Sequence, residues 1–487
     1  MRAVRLSFYL GVVIMTMSYW PRIPPKEPTG GIKAFRGVNK LDQFSMDVSY
    51  SPRTKNLIST LAPAMTTRPG FSVLGAPIGT RVLGLAVWKT QELHAVFNDG
   101  TWRKWNGSAW TTLKSGLNTS AVWSFANYKG NLGTVNLVGT NGIDPMQHYD
   151  GSSVTNLPTA PAGANFIETH DNRLYCAVGL KIYFSPIGIA DNWNLVEQTA
   201  ADGGNLDKNT PEGENIVGLR AGSGHVTVFF PSSSWELYGT SADNYSYEPI
   251  AEDIGGLNDQ CIVNLEGVIY FLDETGIYLY AGGTRPKKQF SAPVQWYVDN
   301  MNQSAKLTSC MGADGRYLYV AIPMGANATS PDTILVYDSQ NQIWNVWENI
   351  PAVMFTKWGP TLYMADAQGR VLRVGGKTDN GVAIVSEWQG KPLGAASMGQ
   401  LVRCRGLWIT ADKPAGSKLQ VYITDRPDDA GWKLAGTFGE SQDIQNKSIP
   451  VAPNLQGNSR WWRPKLVATG PVTVYEIAWD QIDLPIR

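Results

Sequence analysis

The chain is short of several things that would have named a chemistry. Charged residues make up only 17% of its 487 positions, against about a quarter in an average globular protein. Acidic and basic residues balance at 41 each, so the global basic excess that usually accompanies phosphate-driven nucleic-acid binding is absent. The four cysteines, Cys176, Cys261, Cys310 and Cys404, lie far apart, which excludes a zinc-type ligand spacing and makes a disulfide framework a poor reading. A thiol in a strand-like run, as at Cys176 and Cys261, is ordinarily a small buried apolar group. There are only four histidines, and no G-x-S-x-G elbow, phosphate-binding P-loop or EF-hand loop occurs. The longest apolar run, residues 6–15 after Arg2 and Arg5, is too short for an ordinary membrane span. It resembles a signal-peptide core, but bulky Ser18-Tyr19-Trp20-Pro21 follows instead of a small-residue cleavage site. Residues 1–16 therefore read as a misassigned start, with Met15 or Met17 as first residue, in preference to a signal-like segment.

What is abundant is aromatic and turn-forming. Aromatics reach 11%, with 18 Trp, and 50 Gly and 29 Pro provide many chain reversals. That is the composition of a turn-rich β protein with a large buried core. Residues 268–283 set the pattern. A run of β-branched, aromatic and aliphatic residues (Ile269 to Leu272 by sequence) turns at Asp273-Glu274-Thr275-Gly276 and returns through Ile277 and Tyr280 to Gly282-Gly283. Both strands are apolar nearly throughout, which predicts a sheet covered on both faces.

Weaker copies recur. Asn98-Asp99-Gly100 joins residues 93–97 to 101–105, a strong hairpin signal. Residues 135–138 with 147–149, 173–178 with 181–185, 226–230 with 235–238, 316–322 with 333–337 and then 343–347, and 361–365 with 371–374 repeat the theme. Tyr175, Phe229, Tyr270, Tyr319 and Tyr363 align at separations of 54, 41, 49 and 44 residues. Several short strands in each unit of about 40–50 residues are the signature of a β-propeller. The fold class expected is all-β: a propeller of six or seven blades, an extended N-terminal arm and a C-terminal antiparallel β-sandwich. An irregular array of β-sandwiches is the competing architecture.

Three domains follow: an arm at 1–75, the propeller at 76–380 and the sandwich at 381–487. Pro21, Pro24, Pro25 and Pro28 make the arm extended, with strands expected at 39–48 and 56–61. It is too poor in core residues to fold alone, so residues 21–69 are the expected intersubunit contact. One helix is expected, capped by Ser291, with Pro293 in its first turn and Val294, Tyr297, Val298 and Met301 on one face, packed outside a blade. The C-terminal strands are expected at 401–409, 419–424, 433–438, 461–468 and 472–479.

Sites are scarce. His94 and His148 fall in repeat strands, His170-Asp171 is a loop pair without a visible nucleophile, and His225 follows the turn Gly222-Ser223-Gly224. Asp99-Gly100-Thr101-Trp102 resembles the aspartate box of sialidase-type propellers, itself a structural turn, and lacks the leading serine. Trp102, Trp105 and Trp110 could stack on sugars, although blade aromatics more often fill the wedge between blades. No catalytic, cofactor-binding or metal-ligating residue is nominated, no cofactor is expected, and the chain reads as a non-enzyme.

The arm, with Asn39, Leu41-Asp42, Asn56 and Arg68-Pro69-Gly70-Phe71, and the segment Gly255-Gly256-Leu257 leading into Tyr270-Phe271-Leu272 and Gly276-Ile277-Tyr278, resemble the tail hub or nozzle proteins of short-tailed phages. These are the packaged-DNA stabilisation proteins, similar to tail tubular protein B. The resemblance covers roughly residues 31–375 on short, degenerate motifs. It implies a structural virion protein assembled in the host cytoplasm as a ring homo-oligomer, a hexamer, below the portal and head–tail adaptor. Tail fibres, tailspikes or a needle attach to it. Double-stranded DNA passes through the channel without sequence specificity, and no membrane is involved. Net neutrality is compatible with a conduit along which DNA slides. The alternative is a secreted or periplasmic propeller that binds or hydrolyses glycans, with cleavage after the N-terminal apolar run.

Overall fold

The computed structural model describes residues 28–485 except 195–198, 200, 211, 242, 396–398 and 452–457, together with the backbone but not the side chains of 446–451. The apolar run at 6–15, the start-site question and Pro21, Pro24 and Pro25 lie outside the described residues. The protein is nearly all β, built from many small antiparallel sheets in a propeller-like arrangement. Among the described residues no helix is long and apolar enough to cross a membrane.

Seven sheets occupy the middle of the chain, and each takes its strands mainly in sequence order. Their first strands are Val82–Trp88, Ser124–Tyr128, Phe166–His170, Gly218–Ala221, Ile262–Leu265, Cys310–Ala313 and Ala352–Trp358. Each first strand packs beside that of the next sheet, and the seventh returns to the first, so the inner strands form a closed circuit. The aligned aromatics Tyr175, Phe229, Tyr270, Tyr319 and Tyr363 all lie on second strands. The hairpins expected from turn chemistry pair as expected: Phe97 opposite Thr101, Val178 opposite Lys181, Asp273 opposite Gly276. Strand Val268–Asp273 is buried on both faces from Ile269 onward, because neighbouring sheets cover each side.

One turn device recurs where second strands end. The Asp99 carboxylate accepts from the Thr101 amide (3.0 Å), the Asp273 carboxylate from the Thr275 amide (2.8 Å), and the Asp366 carboxylate from the Gln368 amide (2.9 Å). An aspartate that bonds the backbone two residues on fixes a tight reversal without cross-strand help. The fifth sheet departs from the pattern with three strands. A 3-10 turn (Gln289–Val294) running into a one-turn helix (Gln295–Asp299) packs against its last strand, Gly276–Tyr280. Val294, Tyr297, Val298 and Met301 are buried there, as their spacing predicts. Ser291 is not the cap. Its hydroxyl donates to the carbonyls of Ile277 (2.8 Å) and Lys288 (2.8 Å), tying the turn to the sheet.

The seventh sheet is completed from far away. Its fourth strand is Phe71–Val73, paired antiparallel with Val371–Val374. Gly70 permits this closure: a Cβ there would lie 1.9 Å from the Thr378 carbonyl oxygen.

Two six-stranded sheets follow, and they draw on both ends of the chain. The first contains Gln400–Lys413, Ile444–Val451 and Thr473–Pro485 with Gly30–Ile32, Leu57–Ile58 and Met65–Thr67. The second contains Val385–Gln389, Leu393–Gly394, Lys418–Thr424, Lys433–Phe438 and Trp461–Thr469 with Arg53–Lys55. One core lies between them, with Leu407, Ile409 and Ile477 from the first facing Trp388, Val421 and Leu466 from the second. Residues 30–67, within the stretch expected to be too poor in core residues to fold alone, bury themselves against the C-terminal part of the same chain. They are strands of the C-terminal sheets. The strand expected over 39–48 is instead a pair of aspartate turns, at Asp42–Phe44 (3.0 Å) and Asp47–Ser49 (2.9 Å). Buried Arg68 locks the arm in place, bonding Asp379 through two nitrogens (2.8 and 2.7 Å) and Asn56 through Nε (3.0 Å).

Candidate axial site

First strands of the circuit line an open cavity of about 470 Å³. Its wall takes Ala86 from the first sheet, Ser124 and Asn127 from the second, Glu168 and Thr169 from the third, Arg220 from the fourth, and Thr356 from the seventh. Asp259 and Gln260 reach it from the turn before the fifth sheet. A smaller cavity of about 130 Å³, lined by Arg81, Asn165, Asn258 and Thr308, shares Ser124, Asp259 and Gln260 with it. The wall is narrow where aromatics fill it. Trp123 and Phe125 stack at 5.9 Å, and Cβ atoms at Gly84 and Gly139 would stand 2.8 and 2.6 Å from the Phe125 ring.

Asp259 and Arg220 form the strongest electrostatic unit of the wall. Asn258 shapes the turn, its side-chain oxygen accepting from the Cys261 amide (2.9 Å) while its amide donates to the carbonyls of Leu307 and Ser309. Arg220 donates to the Asp259 carboxylate (2.6 Å) and to the backbone carbonyls of Asp259, Leu219 and Ile262. Each of the three guanidinium nitrogens thereby has a partner within the protein, so this pair is structural in its present form. Glu168 lies on the neighbouring first strand. Burial within the ring raises its pKa above the ordinary carboxyl value, and the Arg220 charge offsets only part of that. The Thr169 amide donates to it (2.9 Å). A carboxyl so placed can donate or accept a hydrogen bond, and the cavity has the size and polar lining for a small hydrophilic guest or several waters.

The histidines are elsewhere, and each is held by packing. The His94 Nδ1 accepts from Trp102 Nε1 (3.0 Å), its Nε2 stands 3.4 Å from Glu92, and burial lowers its pKa to about 4. His148 lies against Asn136 (3.0 Å) and Thr155 (2.9 Å). His170 Nε2 is 3.3 Å from Asp171, and its ring packs on Tyr175, whose hydroxyl bonds that of Tyr245. His225 approaches Glu236 (3.2 Å), and Glu236 also accepts from the hydroxyls of Tyr238 (2.9 Å) and Tyr280. Among the described residues no group of three or more His, Cys, Asp or Glu is placed to hold a metal.

The tryptophans proposed for sugar stacking are packed. Trp102 is fully buried, Trp110 donates to the Leu74 carbonyl (2.9 Å) and packs on Phe97, and Trp105 lies against Trp110 (5.3 Å). Sequence reasoning nominated none of Glu168, Arg220 and Asp259. They come from three separate repeats, and only the alignment of first-strand positions across units brings them together.

No known family profile matches the chain, and no curated protein matches it. Solved structures similar over part of it include a designed protein and a WD40 domain. The computationally designed Ika8 protein shares 8% identity, covering 62% of this chain and 99% of that one, at a TM-score of 0.36. The WD40 β-propeller domain of Doa1 shares 10% identity, covering 63% and 96%, at a TM-score of 0.38.

Proposed function

We propose that the seven small sheets are the blades of one closed seven-bladed propeller, that the two C-terminal sheets form an accessory sandwich, and that the protein is a structural virion component. In this reading it is the tail hub or nozzle of a short-tailed phage, a ring of identical subunits below the portal and adaptor that retains and conducts packaged DNA. The observation that carries it is where the family-like motifs fall. Arg68-Pro69-Gly70-Phe71 is the latch and closing strand of the seventh sheet. Gly255 and Gly256 precede the fifth sheet, and a Cβ at Gly255 would lie 2.2 Å from the Phe230 carbonyl oxygen. These motifs hold the architecture together, as expected if the resemblance lies in the fold and its assembly.

The axial cavity, at about 470 Å³, is of small-molecule size. DNA in the hub therefore runs between subunits on the ring axis, outside any one propeller. The propeller-like fold is equally compatible with the glycan-binding alternative; of its candidate stacking residues Trp102 is buried, whereas Trp105 and Trp110 are half-buried against each other.

Negative-stain electron microscopy and the mass in solution test the proposal. Rings of roughly six subunits with a central hole support it, since closed cyclic assemblies need heterologous interfaces. A strict monomer at high concentration and in the presence of its portal complex would overturn it. Mass spectrometry of the mature N-terminus separates the alternatives: processing after the apolar run favours the exported glycan binder.

A further inference from the structure

The smaller axial cavity is lined by polar groups that the protein leaves without partners. Arg81 lies just before the first strand, Val82–Trp88, and forms part of its wall. The backbone of Arg81 is committed elsewhere: its amide donates to the Asn98 side-chain oxygen (3.1 Å), and its carbonyl accepts from the Asn98 amide (3.0 Å). The guanidinium is not committed. Its Nε is buried with no hydrogen-bond partner, and among the described residues no carboxylate pairs with the group. Its positive charge acts on the buried Cys310 thiol, one residue beyond Ser309 of the cavity wall, which places the guanidinium toward the cavity.

Gln260 and Asn165 are half-buried in the same wall, and among the described residues neither side-chain amide has a hydrogen-bond partner. Asp259 is the one carboxylate of that wall among the described residues, and Arg220 already neutralises it (2.6 Å). The cavity is left with one uncompensated positive charge. The rest of its wall is largely apolar. Val353 and Met354 are buried in it, while Leu307 and Val122 stand 66% and 36% exposed at its edge. A half-buried cation without a partner is unfavourable until an anion meets it. An apolar wall with a few convergent polar groups is the ordinary make-up of a small-ligand site.

We infer that this cavity binds a small monocarboxylate with a short apolar body. The carboxylate meets Arg81, Gln260 and Asn165 supply further donors, and the body lies against Leu307, Val353 and Met354. One uncompensated charge calls for a monoanion. The planar guanidinium fork matches a carboxylate through two parallel hydrogen bonds, which a point charge would not select. The volume of about 130 Å³ is close to the roughly 150 Å³ that accepts one benzene, so a ligand of about seven heavy atoms fits. The cavity shares Ser124, Asp259 and Gln260 with the larger axial cavity, so it is a recess on the axis and not a surface groove. That favours a free acid over the acidic side chain of a partner protein. The inference does not depend on the hub reading and survives its failure.

The test is a ligand-observed NMR titration of the full chain with pentanoate at neutral pH and constant ionic strength. The expected result is one saturable site with a Kd on the order of 1 mM, as befits so small a ligand. Pentanamide, which has the same shape without the charge, and acetate, which lacks the apolar body, should each bind at least about tenfold more weakly. Arg81→Gln should weaken pentanoate about tenfold or more, and Gln260→Ala about threefold, the orders of a charged and a neutral hydrogen bond. Lys181→Gln, paired with Asp207 in the third sheet and outside the wall, should leave binding unchanged. Circular dichroism checks folding. If Arg81→Gln does not fold, Leu307→Asp keeps the test open, because that exposed position tolerates a polar residue and a carboxylate there should repel the ligand about tenfold. No saturation up to about 20 mM pentanoate, well above the expected Kd, overturns the inference. So does equal binding by Arg81→Gln, and so does pentanamide binding as tightly as pentanoate. Tighter binding of a capped glutamate tripeptide than of pentanoate would assign the cavity to a protein partner and overturn the free-acid reading.

Discussion

Lowering the pH should unload one specific residue. His94 is fully buried in the first sheet, and its folded pKa of about 4 lies well below the value of 6.5 for a free imidazole. Burial is the dominant cause. The Glu92 carboxylate opposes it, and the nearby Lys104 ammonium adds to it. Tyr149 and Trp102 pack against the ring and carry no charge at these pH values. Because the folded pKa is depressed, the unfolded chain takes up a proton first as pH falls. Stability from the neutral ring is intact above pH 6.5, erodes between 6.5 and 4, and falls no further below 4. The shift of roughly 2.5 units corresponds to about 3 kcal/mol. The comparison is His94→Gln, whose side-chain oxygen can still accept from Trp102 but does not titrate. Urea unfolding followed by tryptophan fluorescence, run on both proteins at pH 7 and pH 4, should show the wild type losing about 3 kcal/mol relative to the variant. With only four histidines in the chain, isotope-labelled imidazole signals give the pKa directly. A titration midpoint near 6.5, or a stability gap that does not change with pH, would refute the reasoning.

Three further outcomes follow from the same structure. Arg68→Ala should cost about 3 kcal/mol or more by stranding Asn56 and Asp379, and should appear in limited proteolysis as early cleavage near residues 70–80; unchanged proteolysis would show the latch to be dispensable. Gly255→Ala forces a Cβ to 2.2–2.3 Å from two backbone carbonyl oxygens and should cost about 2 kcal/mol or more, whereas Gly107→Ala, with open space and only a positive φ, should cost about 1, as thermal unfolding of the two variants would show. All four cysteines are buried free thiols, with burial pushing Cys404 up to about 12, so a thiol reagent should label none in the folded protein and four after denaturation; rapid labelling of the native chain would contradict the packing.

The parts legible in the sequence were those written locally. Asn98-Asp99-Gly100 and Asp273 to Gly276 carry their turn geometry within four residues, so their hairpins could be read without any tertiary knowledge. Outer strands such as Gly204–Asp207 and Ser246–Ala251 were missed because they face solvent and lack an apolar pattern. Nothing near the strand Phe71–Val73 says that its partner lies at Val371–Val374. Ser291 satisfied a capping rule on paper, but the carbonyl of Ile277 offered its hydroxyl a tertiary partner. Glu168, Arg220 and Asp259 formed no motif, since a ring of first strands gathers residues that the sequence scatters over separate units.

Closure of the seventh sheet also sets a schedule for synthesis. Phe71–Val73 leaves the ribosome about 300 residues before Val371–Val374, which at roughly 5–20 residues per second is a wait of about 15–60 s. Gly30–Ile32 waits longer still, for Ile477 to Trp479. During translation the early strands have exposed edges and no partner, while the intervening sheets can fold one after another. The nascent chain is therefore an open, unsealed ring for most of its time on the ribosome, and its exposure to proteases and to pairing with other nascent copies ends only when the late strands arrive.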